Sequence, residues 1–253
     1  GYFVLSDKSV VTNLLIDEKD FAVVRITANM LADDIERVTG RKPAVCTSAE
    51  KKAGTMVIAG TIGKSCWIDR LVKKKKISVD SLQGKWESFV ITTIDHPLPH
   101  VKRALVVVGS DRRGTAYGLT SLSNAIGVSP WYWWADVTPR KQASLYVQPG
   151  TYSQGEPSVK YRGIFINDER FGGWAKWAEQ TFDTQLRQVG PKTYKKVFEL
   201  LLRLKANYLW PAMHSGTKAF NYYPENAKLA DDYAIVMGSS HCEQMLRNNV
   251  GEW

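Results

Sequence analysis

Apolar positions in the first half of the chain fall into short continuous runs separated by amphipathic stretches. The runs 21–26 (FAVVRI), 55–60 (TMVIAG), 88–94 (SFVITTI) and 104–109 (ALVVVG) have the length and β-branched content of buried strands. Leu31, Ile35 and Val38 share one face of a helix predicted over 28–39 and stopped by Gly40, and a second helix is predicted from Arg113 to Ile126. Strands alternating with helices predict an α/β layer domain over residues 1–150. The stretch QPGTYSQGEPS (148–158), with two Pro and two Gly in eleven residues, reads as the domain boundary.

The second half has a different rhythm. A buried strand is predicted over 161–166, followed by a long loop. Pro191 then opens a helix whose apolar face is Tyr194, Val197, Phe198, Leu201 and Leu204. NYLW (207–210) is a short strand, 225–233 a helix, AIVM (234–237) a strand, and a further helix starts near Glu243. Strands separated by helices in this order predict a parallel sheet or (β/α) barrel. Three βα units do not close an eight-stranded barrel, so 151–253 reads as the start of a (β/α)8 barrel, apparently truncated.

Composition changes this picture little. The chain has 253 residues, 44% of them hydrophobic, which supports one large or two smaller cores. No apolar run reaches the roughly 18–20 residues of a membrane span, and GYFVLSDKSV does not read as a signal peptide. The formal charge of +9 suits an acidic partner. Its densest run, Lys73–Lys76, reads as a solvated helix end, where cations are favoured. Aromatics do not interleave with the basic residues, so nucleic acid is not expected. Cys46, Cys66 and Cys242 are widely spaced and odd in number, which indicates buried free thiols.

Most motif-like stretches have plain structural readings. AGTIGKS (59–65) lacks the first glycine of a phosphate loop, since Ile58 stands there. In GSDRRGTAYGL (109–119), Ser110 or Asp111 caps a helix. SPWYWWADVTP (129–139) sets Trp131, Tyr132, Trp133 and Trp134 side by side; four adjacent aromatics cannot all face one core, and an interdomain surface or sugar stacking is implied.

The predicted strand ends of the second half are more informative. In parallel βα architectures ligands sit at the carboxyl ends of strands. Asn167, Asp168 and Glu169 follow the first strand; Trp210, Met213 and His214 mark the end of the second; Ser239, Ser240, His241 and Glu243 follow the third. Carboxylates beside an aromatic platform and hydrogen-bonding groups suit glycoside chemistry, in which one carboxyl protonates the leaving oxygen and another activates water or attacks. Asp168 and Glu243 are the catalytic candidates, with Asn167, Glu169, Trp210 and His241 as substrate-binding residues. His241-x-Glu243 is a weak ligand pattern and no HExxH is present, so no metal is expected. A serine nucleophile lacks its GxSxG elbow.

GSDRRGTAYGL, IGVSPWYWWADV, YRGIFINDE, FELLLRLKANYLWPAM and YAIVMGSSHCEQM, in this order, resemble glycoside hydrolase family 115, from about Val10 to the last residue. The resemblance implies an N-terminal α/β domain, then a (β/α)8 barrel and further domains. It implies a xylan α-1,2-glucuronidase that removes glucuronic acid or its 4-O-methyl ether with inversion, without an established cofactor, secreted, and dimerising through C-terminal parts. Glucuronoxylan or its oligosaccharides would be the partner. It implies that Asn167 and Asp168 face the uronic acid pocket, with Trp210 as a wall and His241 and Glu243 on its rim. The family has Glu where this chain has Asn124. Its general acid and base are expected on later strands, so the chain reads as an N-terminal portion, with an unpaired strand edge that favours poor stability on its own. Two rivals stay open: a hexosaminidase-like glycosidase and a non-catalytic carbohydrate-binding fragment. A uronate pocket needs a cation, for which Arg162, Arg170 or a residue of later strands are candidates.

Overall fold

The longest apolar runs become the centre of a sheet. The computed structural model describes residues 1–49, 54–168, 173–214 and 216–239. The chain divides into two compact units, Gly1–Ser158 and Val159–Trp253. In the first, β4 (Thr55–Thr61) and β6 (Arg103–Gly109) pair in parallel over seven residues. Parallel strands buried on both faces carry continuous rather than alternating apolar sequence, and six of seven residues in each are buried.

The sheet extends from this pair on both sides. β2 (Leu14–Leu15) and β3 (Val45–Cys46) add parallel strands beyond β4. β5 (Phe89–Asp95) and β8 (Thr151–Gln154) add antiparallel strands beyond β6. A separate antiparallel pair joins β1 (Phe3–Ser6) to β7 (Leu145–Val147). On one face, Ile68 and Leu71 of α2 (Cys66–Lys73) pack with Met56, Ile58, Val106 and Val108. On the other, α1 (Ala22–Thr39) and α3 (Arg112–Ala125) pack against each other.

Two sequence expectations change here. FAVVRI is not a strand: α1 begins at Ala22, and Val23, Val24, Thr27, Ala28, Leu31, Ile35 and Val38 form one buried stripe. A helical period sustained over 18 residues outweighs the weak β preference of adjacent valines. The Pro- and Gly-rich stretch 148–158 ends where the first unit ends, at Ser158, but it contains β8 in place of a bare linker. Its side chains are mostly exposed, so the strand carries no apolar signature. Glu156 is also tied to the first unit, accepting the Trp86 N–H at 3.0 Å.

The second unit holds β9 (Gly163–Phe165), α4 (Trp174–Thr181), α5 (Pro191–Arg203), β10 (Tyr208–Trp210), α6 (Pro224–Asp232) and β11 (Val236–Met237). β10 lies between β9 and β11, parallel to both. Each strand therefore neighbours the next in sequence, with α5 and α6 as crossovers. Among the described residues the sheet has three strands and no closed barrel. The stretch read as a long loop contains α4, of which only Ala178 is buried, so it offers no apolar stripe. The strand expected to be buried is open: Tyr161 is 52% exposed, Ile164 39% and Phe165 36%. β9 is an edge strand with β10 as its single neighbour among the described residues.

Gly163 has a steric reason. A Cβ there would lie 1.8 Å from the Tyr208 carbonyl oxygen, across the β9–β10 pairing. Gly163→Ala is expected to destabilise the second unit by about 2 kcal/mol through overpacking, read as a lower urea midpoint. An unchanged midpoint would mean that β9 shifts away at no cost.

Candidate active site

Because β9, β10 and β11 run in parallel, their carboxyl ends share one edge. Asn167 and Asp168 follow β9, Pro211 to His214 follow β10, and Gly238 and Ser239 follow β11. These sequence candidates are thus brought to one rim. Glu169, His241 and Glu243, together with Ser240 and Arg170, lie outside the described residues.

Neighbouring Asn167 and Asp168 have different surroundings. Asn167 is exposed, whereas Asp168 is 4% exposed. Both Asp168 oxygens serve the next strand's loop: Oδ1 accepts the Met213 N–H and the His214 N–H at 3.0 Å, and Oδ2 accepts the His214 N–H at 3.1 Å. Charge-assisted bonds of this kind are stronger than neutral ones. The carboxylate therefore joins the end of β9 to residues 211–214. Below lies Tyr194 of α5, fully buried, whose hydroxyl makes no hydrogen bond of normal geometry. Burial first, and then the charges of Asp168 and Asp183, push this phenol well above its ordinary range, while the Ala212 amide opposes them. The hydroxyl stays protonated beneath the rim.

The rim also has an aromatic component. Phe165 meets Trp210 edge-on at 5.9 Å and 73°. Toward the opposite end of β9, Tyr161 meets Tyr208 at 5.6 Å, and the Tyr208 hydroxyl reaches back to accept the Trp210 Nε1–H at 3.2 Å. Gly238 is needed here, since a Cβ would lie 1.9 Å from that hydroxyl and 2.8 Å from Trp210 Cδ1. Trp210 is 38% exposed, so part of its ring is open at the edge where Asn167 is also exposed. Phe165, Tyr208 and Gly238 pack around Trp210, and the strand-end reading of the sequence does not single them out. The signal for them is the period of two: 161, 163, 165 and 167 share a parity, as do 208 and 210.

Arg162 does not serve this rim. Its guanidinium donates to the carbonyls of Val159 (2.7 Å), Lys160 (3.0 Å) and Lys205 (2.8 Å), at the opposite end of β9. The buried Asn207 completes that end by accepting the Arg162 N–H and donating to the Lys160 carbonyl. Arg162 is a backbone clamp, not a uronate ligand at the carboxyl edge.

In the first unit, Asp111 caps α3, its Oδ1 accepting the N–H groups of Arg113 (2.9 Å) and Gly114 (2.8 Å), while Oδ2 accepts that of Glu87. This helix start is occupied by its own carboxylate. Asn124 is exposed near the end of α3. Trp131 is 44% exposed, Trp133 and Trp134 meet edge-on at 5.1 Å, and Tyr132 lies under Arg37. Cys66 is exposed rather than buried; desolvation of its thiol and the Asp17 carboxylate beside it push the thiol up to about 11, which disfavours the reactive thiolate. Cys46 is half-buried, and Cys242 lies outside the described residues. Among the described residues no group of three or more His, Cys, Asp or Glu is arranged to hold a metal, and no helix is long and apolar enough to cross a membrane.

Comparison with known proteins follows the same lines. Residues 154–253 match glycosyl hydrolase family 115. A solved family GH115 4-O-methyl-α-glucuronidase, described as specific for decorated arabinogalactans, is 38% identical with a TM-score of 0.84 over 99% of this chain and 31% of that one. The N-acetyl-β-hexosaminidase of Streptomyces plicatus is 14% identical (TM-score 0.54, 94% of this chain, 42% of that one). The chitobiase of Flavobacterium johnsoniae is 13% identical (TM-score 0.51, 94% and 32%). These two share the fold alone. No curated protein matches the chain. The chain spans less than half the length of each of these solved proteins. Its carboxyl-terminal 100 residues by family match, and nearly its whole length by likeness to a family 115 glucuronidase, make it a member of glycosyl hydrolase family 115.

Proposed function

We propose that the full-length protein is a glycoside hydrolase that removes α-1,2-linked glucuronic acid, or its 4-O-methyl ether, from xylan with inversion of configuration. The observation that carries this is the 38% identity to a 4-O-methyl-α-glucuronidase along 99% of the chain, a span that includes the strand-end rim. The fold-only likeness to hexosaminidases does not favour an N-acetyl sugar. In this reading β9–α5–β10–α6–β11 are the first βα units of a (β/α)8 barrel, supported by strands that neighbour one another in chain order.

The rim residues then divide by surroundings. Exposed Asn167 offers an amide to sugar hydroxyls, and Trp210 with Phe165 forms a wall against a pyranose face. Asp168 is essential because it holds residues 211–214 in place. Glu169 and His241 extend the binding rim, and of the two catalytic candidates inferred from sequence Glu243 remains as a reacting carboxylate. An inverting enzyme needs an acid and a base about 6.5–9.5 Å apart with water between them; by family resemblance further carboxylates come from later strands. With Arg162 engaged elsewhere, Arg170 or a residue of later strands is the candidate cation for the uronate. A polymeric substrate suits a secreted enzyme, and a dimer would form through parts outside this chain.

A second reading concerns the polymer. The family 115 glucuronidase described above is specific for decorated arabinogalactans, which favours an arabinogalactan side chain in place of xylan. Proton NMR of the full-length protein with glucuronate-substituted oligosaccharides of each kind separates the two. Early appearance of the β anomer from the xylo-oligosaccharide is expected. Release from the arabinogalactan fragment alone would replace the substrate, α anomer first would replace inversion, and no release from either would remove the hydrolase reading.

A further inference from the structure

Two turns of the first unit gather basic side chains around one recess. α2 ends at Lys73, and the Lys74 N–H closes on the carbonyls of Arg70 and Val72. Lys75 takes φ +52°, the chain turns back, and the Lys76 N–H donates to the Leu71 carbonyl at 2.9 Å. In the β5–β6 hairpin, His96 and His100 also have left-handed φ, +50° and +70°. That turn is fixed by the His96 N–H donating to Lys102 O at 2.8 Å and the Val101 N–H to Leu98 O at 3.2 Å. The recess has a volume of about 430 Å³ and is lined by Lys74, Lys76, Lys102, His96 and His100 over Leu98 and Val101. Leu98 and Val101 are 5% and 1% exposed, while all five basic residues are exposed. None of the described residues lining it is acidic, and the neighbouring Asp95 is held by Arg103 at 2.6 Å.

This is more than the solvated helix end that Lys73–Lys76 suggests in sequence. Free lysines at a helix end spread apart; here backbone hydrogen bonds in two separate turns hold cationic and imidazole groups around a concave apolar floor. Like charges gathered in a concavity oppose folding but raise the local concentration of anions. The volume lies within the range of ligand sites, about 300–1,000 Å³. We propose that the recess is an accessory binding site for a carboxylate-bearing polysaccharide, with uronate oxygens on the lysine ammonium groups and a sugar C–H face on the exposed Pro99 ring that also lines it. The choice of glycan rests on the proposed function, whose substrate carries uronates. A single-stranded nucleic acid fits less well, because the lining offers no Trp, Tyr or Phe on which bases could stack.

Affinity electrophoresis of the full-length protein at low ionic strength tests this, with glucuronoxylan or neutral xylan in the gel. Glucuronoxylan should retard the protein and neutral xylan much less. The variant K74Q/K76Q/K102Q should bind glucuronoxylan about tenfold more weakly, as expected when several exposed charges are removed together. The charge-matched variant K8Q/K19Q/K195Q should bind nearly as the parent does. Equal weakening in the two variants, equal retardation by both polymers, or stronger competition by a single-stranded oligonucleotide than by glucuronoxylan would overturn the proposal. Sugar release from a short substituted oligosaccharide, measured on the same samples, should be unchanged in K74Q/K76Q/K102Q. Recess-dependent retention without release would remove the hydrolase reading and leave the recess. Release without recess-dependent retention would do the reverse.

Discussion

Replacing Asp168 by Asn in the full-length protein is expected to lower kcat about a hundredfold, the scale of a 1 Å misplacement in an active site, with a smaller change in KM. The wild-type carboxylate accepts the N–H groups of Met213 and His214 while 4% exposed. An Asn side chain keeps one acceptor oxygen and turns its NH₂ toward a backbone N–H. Donor then faces donor in a buried place, at a cost of about 1–3 kcal/mol. The strain is relieved by moving residues 211–214, which directly follow Trp210. If Asp168 acts through this loop, an aryl glucuronide with a good leaving group should be turned over as poorly, relative to wild type, as the natural linkage. Selective recovery on the activated substrate would instead identify Asp168 as the proton donor itself. Turnover near the wild-type rate would remove Asp168 from the essential residues.

Legibility in the sequence follows the length and burial of each element. β4 and β6 are seven-residue strands, buried at six positions each, and such runs stand out unaided. β2 and β3 are two residues long, too short for any period to show. The start of α1 reads as strand because Val23, Val24 and Ile26 carry a local β preference that the longer helical stripe overrides. α4 and β8 escape a sequence reading because burial barely marks them. At the rim, the polar cluster Asn167-Asp168 after an apolar run is a sound pointer to a strand end. What it does not carry is the alternation that opens one residue to solvent and closes the other. Arg162 misleads for a related reason: a cation near the rim in sequence lies at the far end of its strand in space, where carbonyls of three residues take it up.

The largest loss of stability is expected from Asp183→Ala, about 3 kcal/mol. α5 starts with Gly190 at its N-cap and Pro191 in the first turn, and Gly190 brings no capping side chain. Asp183 supplies the cap from seven residues upstream. Its carboxylate accepts the N–H groups of Gly190 (3.1 Å), Lys192 (3.2 Å) and Thr193 (2.9 Å) and the Thr193 hydroxyl (2.6 Å). Asp183 is itself 3% exposed, so water does not readily replace it. Loss of an ordinary N-cap costs about 1 kcal/mol; here the lost partner is also an anion at the positive end of the helix, and the amides it leaves are largely buried. Asp183→Asn keeps the shape and one acceptor and should cost roughly half as much, while Thr193→Val removes one of the four bonds and should cost about 1 kcal/mol. Urea unfolding of the second unit, with amide exchange at Lys192 and Thr193, measures all three. A wild-type midpoint in Asp183→Ala, with undiminished protection at Thr193, would show that the cap contributes nothing. The consequence reaches the rim, because α5 carries Tyr194 beneath Asp168. A helix that frays from its first turn loosens the floor under the loop that Asp168 holds, so Asp183→Ala should lower turnover as well as stability, although Asp183 is not one of the rim residues.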